Sequence, residues 1–551
     1  MTQQAASVGP TISAPSGLLS VSSKAHSMST PHDIRSGSPV ETLNARPKIT
    51  EVEVHGVDTI PDADRTSTWL DLLRIQFGGA NTFATVLLGT FPIVLGLSFW
   101  QAVLATVSGV LLGTVFLMPM GLFGPKTGTN NAVSSAAFFG VRGRIVGSFL
   151  SLLTAVAFYS ISVWVSGDAL VGALTRLGGI PDSLGLRTLV YGVIGVIVII
   201  VVVFGFQFML FVNKTAVIAN TILILLAIVA FSGTFDSSYD PGPKGFALGG
   251  FWATFVAAAL IVASNPISFG AFLGDWARYI PRNTPPRKLL AATLFGQLLT
   301  LIPFLFGVAT ATIVAGKSDY VVALIQASPI WYAVLLMVVA FIGGLSTGTT
   351  SLYGTGLDFS SVFPKFSRVQ ATIGIGVVAF LFILTGRIFF DLLGAVNAFV
   401  GAIIVTTTPW MVIMAIGYIA RRGSFRPRDL QVFNRGEIGG TYWFSNGINW
   451  RGMVAWLGAA ALGLLFANYP PIIIGPFINV GGGIDLSLAV AVVAGAVLYL
   501  GALWLFPEPR YVFGEDGPRG VPSRPGEPRA IETDHSSTAA RVAARRAGAT
   551  S

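Results

Sequence analysis

The sequence predicts an all-α polytopic membrane protein with twelve transmembrane helices, and three observations lead there. Of its 551 residues, 53% are hydrophobic and only 11% are charged, where an ordinary soluble protein has roughly 25% charged. Apolar runs long enough to cross a bilayer, about twenty residues each, recur at 75–97, 99–120, 145–174, 187–209, 213–233, 249–276, 288–315, 328–357, 368–386, 390–419, 452–469 and 485–507. The first and sixth runs are interrupted by small and polar residues. That spacing of five suits an inverted repeat of five plus five helices, with the last two appended.

The chain begins with a stretch, 1–74, rich in Ser, Thr, Pro and charge, which reads as a disordered cytoplasmic tail. It has no basic start followed by an apolar core, so no cleavable signal is expected. The first span then carries Gly78, Gly79, Ala80, Asn81 and Thr82 where Leu and Val are usual. Unpaired backbone groups cost several kcal/mol each in lipid, so such a break belongs beside a protein-lined cavity. Small residues also serve close helix packing, but Asn81 adds a hydrogen-bonding side chain that packing does not need.

The third span, AVAFYSISVWVSGDAL, holds Phe158, Tyr159, Ser162, Trp164 and Asp168. Aromatics in a span are commonly core or lipid-facing. A carboxylate there costs at least about 2.5 kcal/mol and marks a pathway, a gate or an ion pair. Span six carries Asn265, Pro266 and Gly270 at its interruption and ends in GDWARYIPRN, where Asp275 and Arg278 stand at i and i+3 and read as a gate. Span eight contains GGLSTGTTSLYGTGLDF, 343–359. Hydroxyls of this kind can back-bond to their own helix, yet hydroxyl and carbonyl oxygens are also what a hard cation takes. Ser346 and Thr347 are expected to face carbonyls of Gly79 and Thr82. Residues 508–551 read as a second disordered cytoplasmic tail.

Orientation follows from Lys and Arg. The loops of one face hold sixteen, among them Lys126, Arg142, Arg282 and Arg421, and those of the other hold five, Arg176, Arg187, Lys244, Lys317 and Arg387. The richer face is expected to be cytoplasmic, with both termini on that side of a multi-pass plasma membrane protein. The same asymmetry accounts for the net charge of +9 without a nucleic-acid partner. There is no cysteine, and all four histidines (His26, His32, His55, His535) lie in the tails, so thiolate chemistry and a buried imidazole are excluded. No Walker A, HExxH, GxSxG or CxxC motif occurs, which argues against an enzyme or an ATP-driven pump and for no cofactor beyond a coupling cation. Without a chain of Asp, Glu or His at membrane centre, that cation leans toward Na+, with H+ left open.

Three stretches carry a family likeness: FGPKTGTNNAVSSAAFFGVRG (123–143), GDWARYIPR (274–282) and LYGTGLDF (352–359). On these the sequence resembles the nucleobase:cation symporter-1 family, from about Gly56 to Pro507. The resemblance implies a leucine-transporter-like fold with helices one and six broken. It implies a cation held by Gly79, Thr82, Gly343, Ser346 and Thr347. It also implies a planar heterocycle stacked between aromatics of helices three and six, here Phe158 and Phe269, with Ser162 and Gly348 at positions where relatives carry edge-reading amides. Asn81 and Asn265 remain as candidate readers. The implied function is import of a nucleobase or related heterocycle of purine, pyrimidine, hydantoin or allantoin type, coupled to Na+ or H+. An amino-acid or vitamin symporter of the same fold, and a non-concentrative channel or receptor, stay open at this point.

Overall fold

The structure is a computed structural model that describes residues 58–533 apart from 205, 317–318, 364–365 and 390–391. It begins earlier than the sequence suggests. Ile60 is fully buried, and Arg65 donates to the carbonyls of Ile60 and, at 3.1 Å, Pro125, so the expected tail boundary at 74 moves back into an ordered lead-in. Helix α1 (Trp69–Ala80) starts on a Thr68–Asp71 capping box, which satisfies orphan N–H groups reciprocally. It ends at Asn81, and α2 (Phe83–Val94) departs at 64°, so the first break is present.

Helix α3 (Phe99–Leu117) leads into three short helices, α4 (Phe123–Thr127), α5 (Asn131–Ser134) and α6 (Ala136–Phe139). The long α7 (Ile145–Gly178), α8 (Leu184–Phe204) and α9 (Phe206–Phe231) follow. Then come α10 (Phe251–Ala277), the pair α11 (Pro286–Leu299) and α12 (Leu301–Ile313), and a short α13 (Tyr320–Ala327). The second half holds α14 (Ile330–Val362), α15 (Arg368–Phe389), α16 (Leu392–Ala420) and α17 (Pro427–Leu430). It closes with β1 (Glu437–Gly440), α18 (Trp450–Leu465), the strands β2 (Asn468–Tyr469) and β3 (Ile473–Ile474), and α19 (Ser487–Leu505).

Ten helices among the described residues are long and apolar enough to span a membrane, and the bent pair α1–α2 makes an eleventh. The remaining expected span, 452–469, falls short. Its helix, α18, has 16 residues, about 24 Å at 1.5 Å per residue against a core of about 30 Å, because the chain leaves it for the β2–β3 hairpin.

The expected break in helix six is also absent: α10 runs unbroken through Asn265 and Pro266. Proline removes one N–H and frees backbone carbonyls, which neighbouring hydroxyls and amides can satisfy. Around Pro266, Ser264 donates to Ile261 O (2.6 Å), Ser268 to Asn265 O (2.5 Å), and Asn131 Nδ2 of α5 to Gly270 O (2.8 Å), side-chain bonds that brace the helix on both sides of the Val262 carbonyl that the proline leaves without its donor.

The expected disordered tail from 508 is, as far as Thr533, folded. Strand β4 (Glu508–Pro509) pairs with β5 (Ser523–Arg524), and β6 (Arg529–Thr533) runs antiparallel to β1. Residues 1–57 and 534–551 lie outside the described residues.

Candidate substrate and cation site

Helices α7 and α14 pack along each other, α3 lies along α10, and between these pairs sits the α1–α2 break. A small cavity of about 10 Å³ opens there, lined by Gly79, Thr85, Phe158, Asn265, Ser268, Phe269, Phe272, Thr347, Thr350 and Ser351. Room for one water needs about that much space, so a heterocycle enters only when the walls part. Phe158 of α7 and Phe269 of α10 are 6% and 7% exposed and both face it. Phe269 is held edge-on to Trp276, with ring centroids 5.5 Å apart. A methyl at Gly79 would only touch the wall, 3.8 Å from both Phe269 Cζ and Thr350 Cγ2, an ordinary van der Waals contact.

Two polar atoms in this wall are buried without a partner, Asn265 Oδ1 and the Thr347 hydroxyl. Each such atom costs roughly 1–3 kcal/mol unless something pairs with it. An orphaned acceptor beside an aromatic face is chemistry that a ring N–H can complete.

Not every sequence-predicted residue comes here. Asn81 turns away, donating from Nδ2 to Val217 O (3.4 Å) and Thr221 Oγ1 (3.3 Å) of α9. Ser162 is buried, but its carbonyl lies against Gly344 of α14, and it is not in the cavity wall. A side chain at Gly348 would meet Val198 and Tyr159, toward α8 and α7. None of these three is in the wall of this cavity: Asn81 caps α1 at the break, Ser162 lies one turn beyond Phe158, and at Gly348 it is the neighbouring Thr347 that lines the wall.

The five candidate cation residues divide similarly. Gly79 and Thr347 share the cavity wall. The Thr82 carbonyl accepts from Thr85 N and Val86 N at 3.1 Å each, as the first acceptor of α2. Ser346 donates to Asn213 Oδ1 (2.7 Å), and Gly343 faces Asn220 and Phe83 N. Among the described residues no group of three or more His, Cys, Asp or Glu forms a metal cluster. The asparagines Asn213 and Asn220 escaped the sequence analysis, although two amides seven residues apart in an apolar span were a readable signal.

The candidate gate residues lie apart from the cavity. Asp168, 1% exposed, accepts from Arg187 and from the Tyr191 hydroxyl, both at 2.5 Å. Arg187 also meets Asp182 (2.5 Å) and Asp319 (3.7 Å). At the other end, Asp275 and Arg278 are buried where α10 finishes, with the Arg278 guanidinium 5.2 Å over the Tyr279 ring.

Known proteins match most of the chain. A family model described as a permease for cytosine/purines, uracil, thiamine, allantoin matches residues 59–491. YxlA of Bacillus subtilis (strain 168), whose name proposes a purine-cytosine permease, is 24% identical over 471 residues, 82% of this chain and 95% of its own. The cytosine permease of Escherichia coli (strain K12) is 27% identical over 323 residues, 57% of this chain and 70% of its own. Among solved structures, Mhp1, a nucleobase-cation-symport-1 family transporter in a closed conformation with bromovinylhydantoin bound, superposes with a TM-score of 0.63 at 19% identity, covering 84% of this chain and 98% of that one. The fold is therefore the leucine-transporter-like inverted repeat, one compatible with coupling to Na+ or H+.

Proposed function

The chain belongs to the family of permeases for cytosine/purines, uracil, thiamine and allantoin, and from that premise we propose that it is a secondary symporter importing a nucleobase or related planar nitrogen heterocycle. The observation that carries this is the closed cavity in which Phe158 and Phe269 meet two orphaned polar atoms, Asn265 Oδ1 and Thr347 Oγ1. Aromatic faces stack a flat ring. The Asn265 carboxamide offers an acceptor to a ring N–H and a donor to an adjacent carbonyl or ring nitrogen, an edge that lactams and amidines share. Nothing in this wall is charged, so the bound species is neutral.

Uptake draws on a Na+ or H+ gradient, as the family's fold allows. Rocking of one helix bundle against the other exposes the cavity to each side in turn. The Asp168–Arg187 cluster and the Asp275–Arg278 end of α10 are the candidate outer and inner gates. The Lys- and Arg-rich face is cytoplasmic, with both termini there, an orientation that needs an even number of crossings and so takes the short α18 as one of them.

The test is a thermal-shift series on the purified full chain with uracil, adenine, hypoxanthine, hydantoin and allantoin, followed by uptake of whichever binds. Phe158→Ala should weaken that ligand about tenfold, since an aromatic stacking pair contributes about 0.5–1.5 kcal/mol beyond area burial. Uptake inhibited by amino acids and untouched by heterocycles would overturn the reading.

A further inference from the structure

One wall of the cavity is arranged by a residue that is not part of it. Helix α14 lies along α9, and Asn213 of α9, 5% exposed, joins two α14 hydroxyls. Ser346 donates to Asn213 Oδ1 at 2.7 Å, Asn213 Nδ2 donates to Thr350 Oγ1 at 3.0 Å, and Thr350 donates in turn to the Ser346 carbonyl at 2.8 Å. The chain runs in one direction, so the Ser346 and Thr350 protons are both committed.

Thr350 nevertheless stands in the cavity wall, with Thr347 one turn before it. Threonine in a helix divides between two rotamers, because its hydroxyl can bond back to the preceding turn. Which of its two arms faces inward is therefore set by its partners. Here the oxygen is turned to Asn213 and the methyl to the cavity: Thr350 Cγ2 and Phe269 Cζ both lie 3.8 Å from the point that a methyl on Gly79 would occupy. Thr347, by contrast, keeps a buried hydroxyl without a partner. One helix thus offers the cavity a polar threonine and an apolar one.

We propose that Asn213 is a specificity-determining positioning residue. By holding the Thr350 hydroxyl toward α9 it makes the corner of Thr350, Gly79 and Phe269 apolar, so the site selects rings that are polar along one edge and carry only C–H or methyl on the other. Pyrimidine-2,4-diones have that pattern. Their consecutive N–H and C=O groups meet Asn265 and Thr347, and carbons 5 and 6 meet the apolar corner. Purines, with nitrogens around both rings, lack it. A hydroxyl or ring nitrogen pressed into this corner loses its hydrogen bonds to water without replacement. The inference deepens the reading of the chain as a heterocycle symporter and rests on it.

The test compares the affinities of thymine and 5-hydroxyuracil for the purified full chain at pH 6, where both are neutral. The two differ only by methyl against hydroxyl at carbon 5. The parent should bind thymine about tenfold tighter, the scale of one hydrogen bond. Asn213→Leu frees the Thr350 hydroxyl to rotate inward and should bring the two affinities together. Combining it with Thr350→Val, whose added methyl cannot bond the ligand, should restore the parent's ratio. A purely structural Asn213 would lower the thermal midpoint of both variants and leave the ratio alone. Thr350→Ser leaves a hydroxyl for Asn213 to hold but loses the methyl, and should also lower the ratio, so the inference stays testable if Asn213→Leu fails to fold. It is overturned if Asn213→Leu or Thr350→Ser keeps the parent's ratio, if the double variant keeps that of Asn213→Leu, or if the parent binds purines and neither dione. Absence of binding by every heterocycle would instead sink the transport reading itself.

Discussion

A buried polar atom without a partner separates function from stability at a single residue. Thr347 keeps its hydroxyl unpaired in the cavity wall at a cost of about 1–3 kcal/mol. Structural need does not explain it, since Ser346 and Thr350 beside it are both hydrogen-bonded. Thr347→Val, nearly isosteric, should therefore leave the thermal midpoint unchanged or raise it while lowering uptake about tenfold, the loss of one hydrogen bond worth about 1.4 kcal/mol. Uptake equal to the parent's, measured under initial-rate conditions, would remove Thr347 from the site. The Asp168 side chain shows the opposite case. It is fully engaged by Arg187 and Tyr191, so the cost that its carboxylate incurs in a span is met by an ion pair and a hydroxyl.

At the scale of elements, α3 against α10 is the packing that sets the cavity's floor, and it depends on Gly109 and Gly113, four residues apart. A methyl on Gly109 would lie 2.9 Å from Val262 Cβ, and one on Gly113 would lie 2.6 Å from the Ala263 carbonyl and overlap the Pro266 ring. Small residues at this spacing let membrane helices approach backbone to backbone. Gly113→Val should separate α3 from α10 and give aggregated material on size-exclusion chromatography, whereas Val115→Leu, on the exposed face of α3, should remain monodisperse. A monodisperse, fully stable Gly113→Val protein would refute the close packing.

The same elements show what the sequence could reveal. Spans were legible because twenty apolar residues have few alternatives, and the first break was legible because Gly78, Gly79, Asn81 and Thr82 are all weak helix formers. Helix six was misread because Asn265, Pro266 and Gly270 look like a break, whereas a proline is accommodated inside a packed membrane helix, here one braced at Gly270 by the distant Asn131. The direction of the Asn81 amide was hidden for a related reason. Its polarity was visible, but its direction depends on Val217 and Thr221, 136 and 140 residues away.

Across the whole molecule, the segment 508–533 adds a cross-link among helices that already pack, α16 with α19 and with α6. Composition made 508–533 look disordered, with its Pro, Gly and Arg, yet Glu508 is 1% exposed and pairs with Arg421 at 2.8 Å and with Asn449 Nδ2 at 2.6 Å. Arg421, just beyond α16, is itself buried and stacks 4.6 Å over Phe138 of α6. Burial works against its charge, but the Glu508 carboxylate together with the Tyr499 and Tyr442 side chains outweighs it and holds its pKa above the ordinary value. One ion pair thus joins the end of α19, the end of α16 and the short helices after α3. Removing one partner of a buried pair strands the other charge and costs about 3–5 kcal/mol, while replacing both with apolar groups of similar size is near neutral. Glu508→Ala should therefore lower the thermal midpoint sharply and expose the 421–449 loop to limited proteolysis. The double replacement Arg421→Met with Glu508→Leu should recover most of the loss. If the double variant is as unstable as the single, the segment is held by its strand pairings, β4 with β5 and β6 with β1, and the ion pair is incidental to its docking.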